Sequence, residues 1–244
     1  GWTTTDSTQG AFRAHNQDID DVTIRNLVIR NMPQKGIHAY YWMSNRWTIE
    51  YNEVTRTHTG INAPNDSVVR HNYIHHNVRN PASTNPAERG GGYAANKATN
   101  TVFDSNEISY NGPEQKVTQT TNVTFRNNYV HHNYESGIWY DGDNVGALIE
   151  GNVVEDNPAV GIFYEISGPG VIRNNSVRRS GDSAIFMSTS RDVEIYGNRL
   201  EHNFRGVNLF VSCAAIAVTY PGAGQLYLAL EEAVAALVAG QVDR

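Results

Sequence analysis

The sequence predicts an all-β solenoid: a single right-handed parallel β-helix of about eight coils, with a short helical segment at its C-terminal end. Three observations predict it. An asparagine-centred motif returns at Asn26, Asn52, Asn72, Asn106, Asn128, Asn152, Asn175 and Asn198, at intervals of 20–26 residues except for one of 34. Short β-branched runs alternate with polar residues around each asparagine, as in "VTFRNNYVHHN" at 123–133, and no segment of residues 20–210 sustains a helical period. A Gly-Ile-like pair then follows most of the asparagines at a near-constant offset.

Each unit reads as short strands broken at Asn or Gly, with a last strand after the Gly-Ile pair. The pairs are Gly36-Ile37, Gly60-Ile61, Gly137-Ile138, Gly161-Ile162, Ala184-Ile185 and Gly206-Val207. Five residues after each central Asn stands a second small polar residue: Asn31, Thr57, Asn77, Asn111, Asn133, Asn157, Ser180 and Asn203. The central asparagines are expected at the corners of the coil, where Asn tolerates a left-handed backbone. Stacked at ~4.8 Å, their amides can hydrogen-bond from coil to coil as a ladder, and eight coils make a rod of roughly 38 Å.

Two coils depart from this frame. The third carries an insertion at 78–100, rich in Pro, Gly, Asn and Ala, of the kind that builds a binding face beside a solenoid. The fourth lacks the Gly-Ile pair and places Lys116 near that point. Residues 1–210 are therefore read as the β-helix domain. The Ala/Leu-rich tail, 211–244, predicts a turn at Pro221-Gly222, a helix over 225–239 and a C-cap at Gly240. A cap over the solenoid's open end and an unrelated joined segment both remain open for it.

The frame N-x(4)-N-x(3–4)-G-[IV] covers about residues 10–210, and "NYVHHNYESGIWYDGDN" and "VVEDNPAVGIFYEIS" carry it most fully. On these residues the chain resembles the right-handed parallel β-helix repeat family, within the pectate-lyase-like superfold. The resemblance implies a fold shared with polysaccharide lyases, glycoside hydrolases and epimerases. A fold alone does not deliver an activity.

Composition narrows the partners. The 244 residues carry a net charge of −6, and the 19 basic residues form no run, so neither nucleic acid nor an anionic membrane is an expected partner. Apolar runs fall short of the ~18 residues a spanning helix needs, loosely approaching it only near the C-terminus. The single cysteine, Cys213, excludes an internal disulfide or a CxxC metal motif. The chain opens at "GWTTTD" without Met or a visible signal peptide, and reads as a partial sequence. A monomer acting outside the cell or at its envelope is the expectation.

The strand after the Gly-Ile pair supplies the candidate site. If its Ile points inward, one outward column reads His38, Asn62, Trp139, Phe163, Phe186 and Asn208. The next reads Tyr40, Pro64, Asp141, Glu165, Ser188 and Phe210. Exposed rings match the C–H faces of pyranose sugars, so Trp139, Phe163, Phe186, Tyr40 and His38 are candidate polysaccharide contacts; burial of the column under a loop is the structural alternative. Asp141 and Glu165 on neighbouring rungs repel unless something intervenes. They can act as an acid–base pair of the retaining-glycosidase type, bind Ca²⁺ together with Asp143, or pair with Lys116. No cofactor is required, and Ca²⁺ is the open option. For lyases of this superfold, the resemblance implies that Ca²⁺ or a basic side chain neutralises a uronate while Lys, Arg, His or Tyr removes the C5 proton, which makes Lys116 a candidate base. Polysaccharide lyase- or hydrolase-like action through Lys116, Asp141 and Glu165 stands beside a non-catalytic binding or structural module.

Other motifs carry less. Asn65-Asp66-Ser67, Asn122-Val123-Thr124 and Asn174-Asn175-Ser176 match glycosylation acceptors by composition, and "RGGGY" at 89–93 reads as a flexible loop. The duplicated "HHN" (His75-His76 and His131-His132) lies two rungs apart, roughly 9.6 Å, too far to share one Zn²⁺. That slot reads as polar punctuation before a corner.

Overall fold

A computed structural model describes residues 10–14, 18–39, 43–78 and 89–210, and the backbone of 216–219 and 226–228. Each coil contributes one strand to each of three parallel sheets. Sheet A stacks Gly10–Arg13, Lys35–His38, Thr59–Asn62, Gly91–Asn96, Lys116–Thr118, Ile138–Asp141, Ile162–Glu165, Ser183–Ser188 and Arg205–Phe210. Sheet B runs from Thr23–Arg25 to Val193–Tyr196, and sheet C from Val28–Arg30 to Arg199–Glu201. The core is a set of stacked columns: Ile24, Ile49, Val69, Phe103, Phe125, Ile149, Ile172 and Ile195 fill one, paired rung to rung. Tyr140, Tyr164 and Met187 fill part of another.

The asparagine ladder is present, but the left-handed corner falls one residue earlier than expected. Positive φ belongs to Tyr51, His71, Ser105, Asn127 and Asn174, each just before a buried ladder asparagine. The ladder residues point inward and bond along the axis. Asn128 donates its N–H to Asn152 Oδ1 (2.9 Å) and its Nδ2 to Phe103 O (2.9 Å), while its own Oδ1 accepts from Asn106 N (2.9 Å). A second ladder runs through Thr57, Asn77, Asn111, Asn133 and Asn157. Asn26 and Asn31 are corrections to the expected repeat: both occupy the left-handed slot themselves (φ 57° and 60°), and Leu27 N–H donates to Asn52 Oδ1 in the ladder position. Asn suits both slots, so sequence alignment set the first coil off by one.

The expected insertion is shorter than 78–100. Gly91–Asn96 is a regular strand of sheet A, with Tyr93 opposite Ile61, so Gly92-Tyr93 fills the pair slot and "RGGGY" leads into a strand. Residues 79–88 lie outside the described residues. The predicted helix over 225–239 also falls outside them, apart from Leu226–Leu228, which pairs antiparallel with Ile216–Thr219; Cys213 is likewise outside. Ile216–Thr219 itself continues sheet B in parallel beyond residue 210. Among the described residues, no helix is long and apolar enough to cross a membrane.

Candidate functional site

Register on sheet A places Lys116 opposite Ala94 and, through the Val117–Tyr140 pair, directly below Trp139; Thr118 sits below Asp141. Above them Trp139, Phe163 and Phe186 are strict rung neighbours, as are Asp141, Glu165 and Ser188. Alternation along each strand turns both columns outward while Tyr140, Tyr164 and Met187 fill the interior.

The three rings are half-buried and stack: Trp139–Phe163 at 5.5 Å and 12°, Phe163–Phe186 at 5.0 Å and 4°. The ring-to-ring distances match the rung spacing of roughly 4.8 Å, so the rings form a continuous column along the sheet. Lys116 Nζ caps this stack, 4.7 Å from the Trp139 ring centroid, and donates to Asp141 Oδ2 at 2.8 Å. The Lys116–Asp141 ion pair, one of the three arrangements considered for these carboxylates, is therefore formed. Trp139 Nε1 donates to Glu165 Oε2 at 3.2 Å. Burial first, and then the Asp141 charge, push the Glu165 pKa above its ordinary value, against the opposing pull of Trp139 and Lys116.

Of the three candidate Ca²⁺ ligands, Asp141 and Glu165 are rung neighbours and Asp143 follows in the next turn. Asp141 is bound to Lys116 and Glu165 to the indole, while Asp143 is an exposed left-handed residue in the following turn. Among the described residues, no three His, Cys, Asp or Glu side chains gather to hold a metal. His38 stands in the predicted column but is buried at 8% exposure, with its ring nitrogens near Asn62 Nδ2 (3.0 Å) and Lys35 Nζ (3.3 Å). It therefore does not extend the exposed strip. Tyr40 lies outside the described residues.

Tyr93, which the sequence motif did not single out, holds the strip in place. Where the fourth coil departs from the frame, sheet pairing to the fifth coil is reduced to Val117–Tyr140. The fully buried Tyr93 hydroxyl crosses that gap, accepting from Trp139 N–H (3.0 Å) and donating to Gly137 O (3.2 Å). Gln115 Nε2 donates to Ser136 O and Gly137 O, both at 3.1 Å. Two side chains thus replace missing backbone bonds beneath Trp139.

A sequence profile described as the right-handed β-helix region matches residues 10–164 and 116–220. The chain belongs to the right-handed β-helix family. Among solved structures, this β-helix is similar to the A-module of the Azotobacter vinelandii mannuronan C-5 epimerase AlgE4: 16% identity, 83% of this chain and 65% of that one, TM-score 0.56. It is also similar to DFA-IIIase from Arthrobacter chlorophenolicus A6 without its lid (11%, 85% and 66%, TM-score 0.61). A third likeness is to the Dettilon tailspike protein gp208 (12%, 82% and 54%, TM-score 0.51). This β-helix spans less than two thirds of each of those chains, and at such identities they show a shared fold. A comparison with curated protein sequences found no match.

Proposed function

We propose that this β-helix binds a neutral polysaccharide lengthwise along sheet A, over Trp139, Phe163 and Phe186, with Asp141 and Glu165 accepting hydroxyl hydrogens. The observation that carries this reading is the half-buried stack of rings bordered by carboxylates. Half-buried rings offer apolar contact to sugar C–H groups, and the carboxylates orient the chain. One solved neighbour is by name a mannuronan epimerase, which makes carbohydrate the ligand class to try first. Charge then selects within the class. Lys116 is matched by Asp141, and Glu165 adds a further acid, so a polyuronate meets net like charge. In this arrangement Lys116 donates to Asp141 and holds that carboxylate beside the rings. A glycan of this kind is met outside the cell or in its envelope, which is the location the reading implies.

Retention on immobilised neutral and uronate polysaccharides tests the proposal. Wild type should be retained by a neutral glycan, with Trp139→Ala and Phe163→Ala each weakening retention by tenfold or more. Equal retention of both variants, or retention by polyuronates alone, would overturn it.

The raised Glu165 pKa favours a second, catalytic reading of the same groove. Glu165 would protonate a glycosidic oxygen, with Asp141 as the partner carboxylate on the adjacent rung, roughly 4.8 Å away along the axis and near the spacing of retaining glycosidases. New reducing ends from the retained glycan, abolished by Glu165→Gln while binding persists, are the expected result. Binding without any bond cleavage by wild type refutes this second reading and leaves the first intact.

A further inference from the structure

The two "HHN" copies do not share a site, yet within each copy the rings converge. In a strand, consecutive side chains point to opposite faces. His76 and His132 escape that rule because each sits at a left-handed corner (φ 52°), which swings its ring back beside the preceding histidine. His75 Nδ1 and His76 Nδ1 are 2.8 Å apart, and His131 Nδ1 and His132 Nδ1 are 2.9 Å apart.

Behind the first ring of each pair stands a carboxylate from the preceding coil. His75 Nε2 meets Glu53 Oε1 at 3.2 Å, and His131 Nε2 meets Glu107 Oε1 at 3.4 Å. A carboxylate accepts N–H, so in the neutral ring the proton sits on Nε2 and Nδ1 is an acceptor. That is the tautomer of a metal-ligating histidine backed by an outer carboxylate. Nδ1 takes the Nδ1–H of the second histidine, a proton that a metal ion binding both nitrogens displaces to solvent. Stacking fixes the rings: His75 lies on Tyr73 (3.9 Å) and His131 on Tyr129 (4.1 Å), while His76 and His132 take the two sides of Tyr110 (4.9 and 5.2 Å).

The spacing suits a cis pair of ligands once the shared proton is displaced. Two nitrogens each about 2.05 Å from a metal and 2.8–2.9 Å from one another subtend close to a right angle. A tetrahedral ion would need them about 3.3 Å apart at the same bond length. A right angle is the cis angle of a tetragonal ion, and Cu²⁺ also binds nitrogen most strongly in its series. We propose that His75/His76 and His131/His132 are two separate Cu²⁺ sites, each a cis pair of Nδ1 ligands completed by water, with Glu53 and Glu107 as outer-sphere acceptors. Two coils, roughly 9.6 Å, keep the ions apart. Since no third His, Cys, Asp or Glu joins either pair among the described residues, both ions are exchangeable.

Copper titration of the full chain at pH 7, followed by calorimetry and electron paramagnetic resonance, tests this. His76→Asn and His132→Asn are the variants of choice because Asn accepts the left-handed corner, and unchanged thermal midpoints would show that both fold. Wild type should bind two more equivalents of Cu²⁺ than the double variant, and each single variant one fewer than wild type. Glu53→Gln and Glu107→Gln should each weaken one site by about tenfold. Equal uptake by wild type and the double variant would overturn the proposal. So would loss of both equivalents on either single substitution, which would mean a shared site.

Discussion

Removing one oxygen from Tyr93 tests how the β-helix bridges its irregular fourth coil. Tyr93→Phe keeps the ring, which packs 4.8 Å from Phe125 and 5.9 Å from Phe103, and opens almost no cavity. It deletes the acceptor for Trp139 N–H and one of two donors to Gly137 O. Gly137 O keeps Gln115 Nε2, so the cost falls on a single orphaned N–H in the shielded strand beneath the strip. A buried donor left unmade costs about 1–3 kcal/mol. Taking the middle of that range, about 2 kcal/mol, the melting temperature of a chain this size should fall by about 4–8 °C. Urea denaturation should show a lowered midpoint with an unchanged slope. Glycan retention should weaken in parallel as Trp139 loosens. A variant within about 0.5 kcal/mol of wild type, well under the orphaned-donor cost, would refute the bridging role of the hydroxyl.

Hydrogen bonding from Arg178 first, then Tyr129 and Arg179, pulls the Glu155 pKa down to about 2 against the opposing effect of burial. Its folded pKa lies below its ordinary 4.5, so its stabilisation is complete above that value and is lost as pH falls toward 2. Glu155→Gln should therefore cost about 1–3 kcal/mol at pH 7, with the difference shrinking as pH falls below 4.5 and vanishing only below the folded pKa of about 2; a pH-independent difference in denaturation midpoint would contradict this. In the Gly-Ile frame, a methyl at Gly137 would lie 2.7 Å from both Gly161 O and Val154 Cγ1, whereas one at Gly206 meets nothing within 4 Å. Gly137→Ala should destabilise by about 1–3 kcal/mol while Gly206→Ala is tolerated, and equal melting of the two variants would show that close coil packing is not what the frame's glycine serves.

The repeat was legible because each coil must place the same kinds of side chain at the same corners. Ile61, Ile138 and Ile162 point inward as the Gly-Ile frame predicts, and Trp139, Phe163, Phe186, Asp141 and Glu165 form the two outward columns. What escaped were features that pattern alone does not separate. Asn26 fits the left-handed slot and the ladder slot equally well, so its place depended on the pairing of Leu27 with Asn52. The third corner also carries a ladder, through Thr120, Asn144, Ser167 and Ser190, but its changing residue types hid the period. Tyr93 reads as a core ring in a Gly-rich stretch; only coordinates show its hydroxyl reaching two coils to Trp139. The burial of His38 was hidden for the same reason, since Lys35 and Asn62 close over it from its own strand and the next.

The sheet A strip is the centre of the account, and Trp139 reports on it directly. Fluorine NMR of protein labelled with 5-fluorotryptophan, with the Trp139 resonance assigned by its loss in Trp139→Phe, would follow this ring as the retained neutral oligosaccharide is added. Trp47, at 3% exposure in the core, serves as an internal control. The account predicts a saturable shift of the Trp139 resonance with Trp47 unmoved. Saturable glycan binding that leaves the Trp139 resonance in place would contradict it.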